Sequence, residues 1–156
     1  MRDSIKERII WHIRKYADRE AFERGKPYEV LESRGNVLLT QGADYIWYMI
    51  CEPGTYNPLS ADYAQIGVGS SLTGTNPDQT GLLGADTAYK GMVEGAPVYG
   101  DDYATFESQF DEDEGNFAWN EFVVTNGTLA INRHVESQGT KTQGSIWVIT
   151  VDLQLS

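Results

Sequence analysis

Hydrophobic and polar positions alternate along the later part of this chain, and the alternation marks strands. In Ser145–Leu155, the residues Trp147, Ile149, Val151, Leu153 and Leu155 alternate with Ile146, Val148, Thr150, Asp152 and Gln154. A strand sends successive side chains to opposite faces, so the first set faces a core. Tyr103–Phe110 repeats the pattern, with Ala104, Phe106, Ser108 and Phe110 on one face. Phe117–Thr125 and Leu129–Val135 read as two further strands. Between them Asn126-Gly127 has the composition of a two-residue hairpin turn. Ala64–Val68 predicts a strand that leads into a Gly/Ser/Thr-rich loop over 69–81, and Lys90–Val93 is a short strand candidate. Asp111–Gly115 reads as a turn. Several short strands with Gly/Asn turns predict a mainly β chain, a β-sandwich or barrel.

The front of the chain reads differently. Ile5, Ile9, Ile13 and Tyr16 recur at helical spacing, which predicts an amphipathic helix over 4–24. Asp3 or Ser4 can cap its start, with Glu7 placed as in a capping box, and Gly25 and Pro27 end it. Residues 27–36 read as an extended linker. Val37–Thr40 follows, and then a second apolar segment, Asp44–Cys51, which suits a short buried helix with a strand as the alternative. Glu52-Pro53-Gly54 terminates that segment. The expected organisation is a helical arm with its linker, 1–34, and a β-sandwich body, 35–156. No repeat of 20–50 residues and no sustained heptad is visible.

Charge sharpens this division. The 156 residues carry a net −11. Residues 1–35 hold nine Lys/Arg against seven Asp/Glu, and residues 36–156 hold three against sixteen. A body this acidic repels nucleic acid and anionic membranes, and neither is expected as a partner. The lone cysteine, Cys51, allows no intrachain disulfide and reads as a small buried hydrophobe. No window reaches the ~18 apolar residues of a spanning helix. The charged front does not fit a signal peptide, so the expected setting is a reducing cytoplasm before assembly.

Candidate chemistry is sparse. Asp111-Glu112-Asp113-Glu114-Gly115-Asn116 resembles a calcium loop in composition only. Counted from Asp111, Gly115 is fifth and Phe122 twelfth, where an EF-hand needs Gly sixth and Glu twelfth. The expectation is a solvated acidic turn. His12, His134 and Cys51 lack partners at metal spacing. Gly67-Val68-Gly69-Ser70-Ser71 lacks the Gly-Lys-Ser/Thr element of a phosphate loop. No Gly-x-Ser-x-Gly elbow is present. No metal, cofactor or catalytic residue is nominated, and an enzyme is not expected. Glu121 lies among aromatics, which places it either at a sheet edge or in a pair; Arg133 on the returning strand is the candidate partner, and such a pair is more often structural than catalytic. Trp47, Tyr56, Tyr99 and Tyr103 are candidate exposed aromatics. They suit a subunit interface first and a sugar-stacking platform second.

Taken in order, several segments resemble a known family. They are Asn36–Gly42, Ile66–Ser71, Gln79-Thr80-Gly81-Leu82, Phe117–Glu121, Asn132-Arg133, Gly139-Thr140-Lys141 and the terminal Trp147–Leu155 strand. Together they resemble small virion proteins of tailed bacteriophages, described variously as head decoration, minor tail or fibre proteins. The resemblance spans about residues 35–156. It implies a jelly-roll-like antiparallel sandwich that self-associates and binds the virion. The first expectation is a capsid decoration (cement) protein, a homotrimer seated between capsomers on the major capsid protein. The second is a tail, baseplate or fibre-base component that binds tail proteins. On the first expectation the helical arm clasps the shell or a neighbouring subunit, through Arg2, Lys6, Arg8, Arg14 and Lys15 by charge and through Ile5, Ile9, Trp11 and Ile13 by apolar contact.

Overall fold

A computed structural model describes residues 7–155. In chain order the elements are β1 (Glu7–Tyr16), α1 (Arg19–Glu23), β2 (Glu29–Arg34), β3 (Val37–Leu38), α2 (Thr40–Cys51), β4 (Gln65–Gly69), β5 (Thr87–Gly91), β6 (Val98–Gly100), β7 (Tyr103–Phe110), β8 (Glu121–Thr125), β9 (Asn132–Val135) and β10 (Ile146–Leu155). The strands form two antiparallel five-stranded sheets, ordered β2-β1-β10-β7-β6 and β3-β9-β8-β4-β5. The sheets pack face to face as a sandwich. Early strands pair with late ones in both sheets, β1 with β10 and β3 with β9. A short hairpin joins β6 to β7, and β4 pairs antiparallel with β5 across the long loop 70–86.

Both sheets supply the core. Trp11 of β1 meets Phe122 of β8 at 5.7 Å between ring centroids. Trp119, just before β8, meets Trp147 of β10 edge to face at 4.9 Å. The inward sets foreseen for β7 and β10 hold through most of their length: Phe106, Ser108, Phe110, Trp147, Ile149 and Val151 are all buried. Ile146 and Val148, on the opposite face of β10, are buried as well. There α1 covers them with Ala21 and Phe22, next to Tyr16.

The front of the chain departs from its expected form. Residues 7–16 are a strand, and helix is confined to the five residues of α1. Ile5 and the proposed caps Asp3 and Ser4 lie outside the described residues. Ile9, Trp11 and Ile13 are buried at a spacing of two, while Arg8, Ile10 and His12 take the other face. Spacings of four and of two both accommodate Ile9 and Ile13; Trp11 fits only the second. Pairing decides the matter, because β1 is bonded over ten positions to β10 and over six to β2. The foreseen linker 27–36 contains β2. Among the described residues, 7–34 supply two strands of one sheet.

Smaller shifts have local causes. The expected strand 117–125 is regular only over β8, because residues 117–119 bond instead to the 139–141 loop (Trp119 N–H to Gly139 O, 2.9 Å; Lys141 N–H to Phe117 O, 3.0 Å). The expected strand at 90–93 begins earlier, as β5. The loop after β8 has four residues rather than two. Asn126 Oδ1 accepts from the Thr128 and Leu129 amides, and Thr125 bridges to Ala130. The register then gains a residue, so Glu121 lies opposite Val135. This places Arg133 on the same face as Glu121, two positions along. A two-residue turn would have set Arg133 on the other face.

Candidate functional site

Several resembling segments converge on one buried ion pair. Glu121 and Arg133 have no solvent exposure, and both Arg133 Nε and Nη2 donate to Glu121 Oε2, at 3.0 and 2.8 Å. Glu121 also accepts from the backbone amides of Leu83 and Gly84. Arg133 Nη1 donates to Thr73 O and Gln79 Oε1, at 2.9 and 3.0 Å. The Gly/Ser/Thr loop is thereby strapped across the outer face of β8, where Leu82 meets Val123, Leu39 and Ala130. Close approach requires glycine here: a Cβ on Gly69 would lie 2.3 Å from Glu121 Oε1. The pair foreseen from sequence is present, and its bonds are those of a staple. Every charge is matched from within the protein, leaving no group aimed at a substrate.

The acidic turn is part-exposed, and cations of the same chain pair with several of its carboxylates. Lys141 Nζ lies inside it, donating to Asp111 O and Asn116 Oδ1 at 2.7 and 2.8 Å. Arg19 clasps Glu112 from α1, at 2.8 and 2.7 Å, and its hydrogen bonds hold the Glu112 carboxyl below the ordinary range. Lys90 bonds both oxygens of Glu114 at 2.7 Å. Burial pushes the Lys141 ammonium down to about 8 despite these carboxylates. Among the described residues no group of three or more His, Cys, Asp or Glu is placed to hold a metal.

One cluster has the residue types of a hydrolase. Ser33 Oγ is 2.6 Å from His134 Nε2 and also donates to Glu136. The geometry differs from a triad. The acid and the imidazole both address the serine oxygen, whereas a triad places its acid on the far ring nitrogen. The His134 ring is stacked on Trp11 (6.0 Å, 9° between planes), and burial lowers its pKa. The cluster ties the β2 edge of one sheet to β9 of the other.

The unsatisfied surface lies elsewhere, around α2. Gly42 seats this helix: a Cβ there would lie 2.0 Å from Ile131 O. Gln41 Nε2 donates to Ala130 O at 2.7 Å, and the Tyr45 hydroxyl to Asn57 O at 2.8 Å. Only Gly42 and Tyr45 are buried in α2, so the buried helix expected at 44–51 is instead a surface helix. Its outer side carries Ile46, Trp47 and Ile50, the last two 64% exposed, and Cys51 is exposed rather than buried. Beside it opens an apolar groove of about 620 Å³, with Tyr45 and Ile46 on one wall and Tyr99, Tyr103, Leu153 and Leu155 on another. Tyr99 is 78% exposed. Of the four aromatics singled out from sequence, Tyr99 and Tyr103 line the groove, Trp47 stands on the helix beside it, and Tyr56 packs on Tyr45 and Tyr48.

The described arm residues are held within the fold. Ile9, Trp11 and Ile13 are core. Arg14 is paired with Glu107 at 3.0 Å. Arg2, Ile5 and Lys6 lie outside the described residues. The α2 face was hidden from sequence reasoning because its apolar run has the composition of a buried segment; the exposed aromatics were the usable signal.

This arrangement defines a β-sandwich with an apolar surface at α2. No protein-family model, curated protein or solved structure was found to match the chain. No helix among the described residues is long and apolar enough to cross a membrane.

Proposed function

We propose that this chain is a structural protein of a bacteriophage virion, a non-enzymatic decoration protein that seats between capsomers as a homotrimer on the major capsid protein. The observation that carries this reading is the apolar surface of α2 and its groove. Large exposed apolar patches mark places where another surface binds. The segments that resemble phage virion proteins act here as fasteners of loops and charges, which suits a building block. Attachment to the shell runs through exposed surface of the sandwich, since the inward residues of β1 are committed to its core.

The test is location and copy number on purified particles. Density repeating over the icosahedral shell, with hundreds of copies by quantitative gel densitometry, is the expected result. A few copies confined to the tail would replace decoration with the tail or fibre-base role. Absence from particles would overturn the virion reading.

A further inference from the structure

We propose that the outer face of the second sheet binds one ring of a neutral sugar, in the cleft between the strapped loop and the 126–129 turn, with Tyr89 as its platform. The inference goes beyond the virion reading and does not depend on it.

Strand register builds the cleft. Gly67 of β4 lies opposite Tyr89 of β5 on one side and Val123 of β8 on the other. Directly opposite residues share a face of the sheet, and Leu82 packed on Val123 marks this face as the outer one. A Cβ on Gly67 would lie 2.7 Å from Tyr89 Cε1, and 2.8 Å from both Tyr89 Cδ1 and Val123 Cγ2. Glycine therefore leaves the space that the Tyr89 ring occupies. The ring rests against β4, and the residue is still 49% exposed. Gln65 and Thr125 pair two positions along and continue the floor. Thr80 of the strapped loop and Thr128 of the turn stand on either side.

Chemistry names the ligand class. Every residue lining the cleft is uncharged, in a chain of net −11. Other exposed aromatics stand beside acids: Asp44 and Glu52 near Trp47, Asp101 and Asp102 near Tyr99. Two polar groups here already serve the fold, since Thr125 Oγ1 accepts from the Gly127 amide and Thr80 O from Gln41 Nε2, each at 3.1 Å. Among the described residues, the side-chain polar atoms of Gln65, Thr80, Tyr89 and Thr128 have no such partner. An amide and three hydroxyls are left to exchange hydrogen bonds. Burial and the Glu121 carboxylate push the Tyr89 phenol above its usual range, so it stays a donor. An aromatic face beside uncharged donors and acceptors matches a pyranose, which has an apolar C–H face and a rim of hydroxyls. A nucleotide would bring phosphate, which this acidic chain repels. The cleft holds about 170 Å³, under the ~300 Å³ at which pockets for drug-sized ligands begin, so it admits one ring rather than a chain.

Methyl glycosides of glucose, galactose, N-acetylglucosamine and rhamnose, titrated into the full chain with amide shifts read by NMR, test this. At least one should give saturable shifts confined to residues 65–67, 80–81, 89 and 125–128. Contact with a single ring is weak, so saturation belongs in the millimolar range. The dissociation constant should be the same at low and high salt, because no charge takes part. Tyr89→Ala should weaken binding at least about tenfold, and Tyr89→Phe, which keeps the platform, should stay within about threefold. Gln65→Leu is a second variant that leaves the Tyr89–Gly67 packing intact, and it should weaken binding several-fold with the melting temperature unchanged. No saturable shift with any of the four glycosides overturns the proposal. Binding that maps to the groove beside α2, or that Tyr89→Ala leaves unchanged, overturns it too. A proline-rich peptide that shifts these amides where the glycosides do not would reassign the cleft. Sugar binding by a chain absent from particles would leave this site standing and remove the virion reading. A particle-bound chain with no glycoside shift would do the reverse.

Discussion

A carboxylate with no solvent exposure needs its charge answered by donors on every side, and Glu121 has them. Arg133 supplies two N–H groups and the strapped loop supplies its backbone amides. Such a pair adds little over an apolar equivalent, but halving it leaves an uncompensated charge. Arg133→Met should cost about 3–5 kcal/mol in urea denaturation, and Glu121→Gln a comparable amount. Restoring most of that loss in a Glu121→Leu/Arg133→Met double variant is the expected signature. A single substitution costing under about 1 kcal/mol would mean the charges are solvated. This pairing was partly legible in the sequence, because a Glu among Phe and Trp residues is either at a sheet edge or paired, and Arg133 stood on the returning strand. Its purpose was not, since the loop it holds is about forty residues away along the chain.

At the scale of elements, the strands of the second half were legible and the front was not. β7 alternates throughout and β10 through its later part, with one face committed to the core. In β1, Ile9 and Ile13 fit two periods, and the neighbours that choose between them lie on β10. For α2 the element type was legible and its exposure was not, because Ile46, Trp47 and Ile50 are residues that monomers ordinarily bury. Its attachment depends on Gly42, whose missing side chain lets the helix touch the backbone of Ile131. Gly42→Ala forces that contact apart, and overpacking of this kind costs about 1–3 kcal/mol. The expected result is faster amide hydrogen exchange confined to α2 and the 126–131 loop. Unchanged exchange there would mean the helix is held by its polar bonds alone.

For the molecule as a whole, the sandwich class follows from alternation and turns, whereas its extent does not. The boundary expected at residue 35 was drawn from a helical spacing and a linker and sharpened by charge, and none of these reports on sheet membership. Deleting residues 1–26 removes β1 from between β2 and β10 and takes Trp11 out of the core. The truncated chain should lose its cooperative thermal transition and its near-ultraviolet dichroism. A truncated chain that still melts cooperatively would restore the picture of a separable arm.

The pairing of β1 with β10 also has a consequence in time. β1 leaves the ribosome long before its longest partner, β10, is made. About 130 residues separate Tyr16 from Ile146, and at 5–20 residues per second their synthesis takes on the order of ten seconds. Throughout that interval Ile9, Trp11 and Ile13 have no β10 to pair with. Non-local pairing of this kind makes folding slow, because the entropy of closing the loop is lost before any contact forms. Until β10 is made, the nascent chain presents an apolar strand to whatever chaperones attend it.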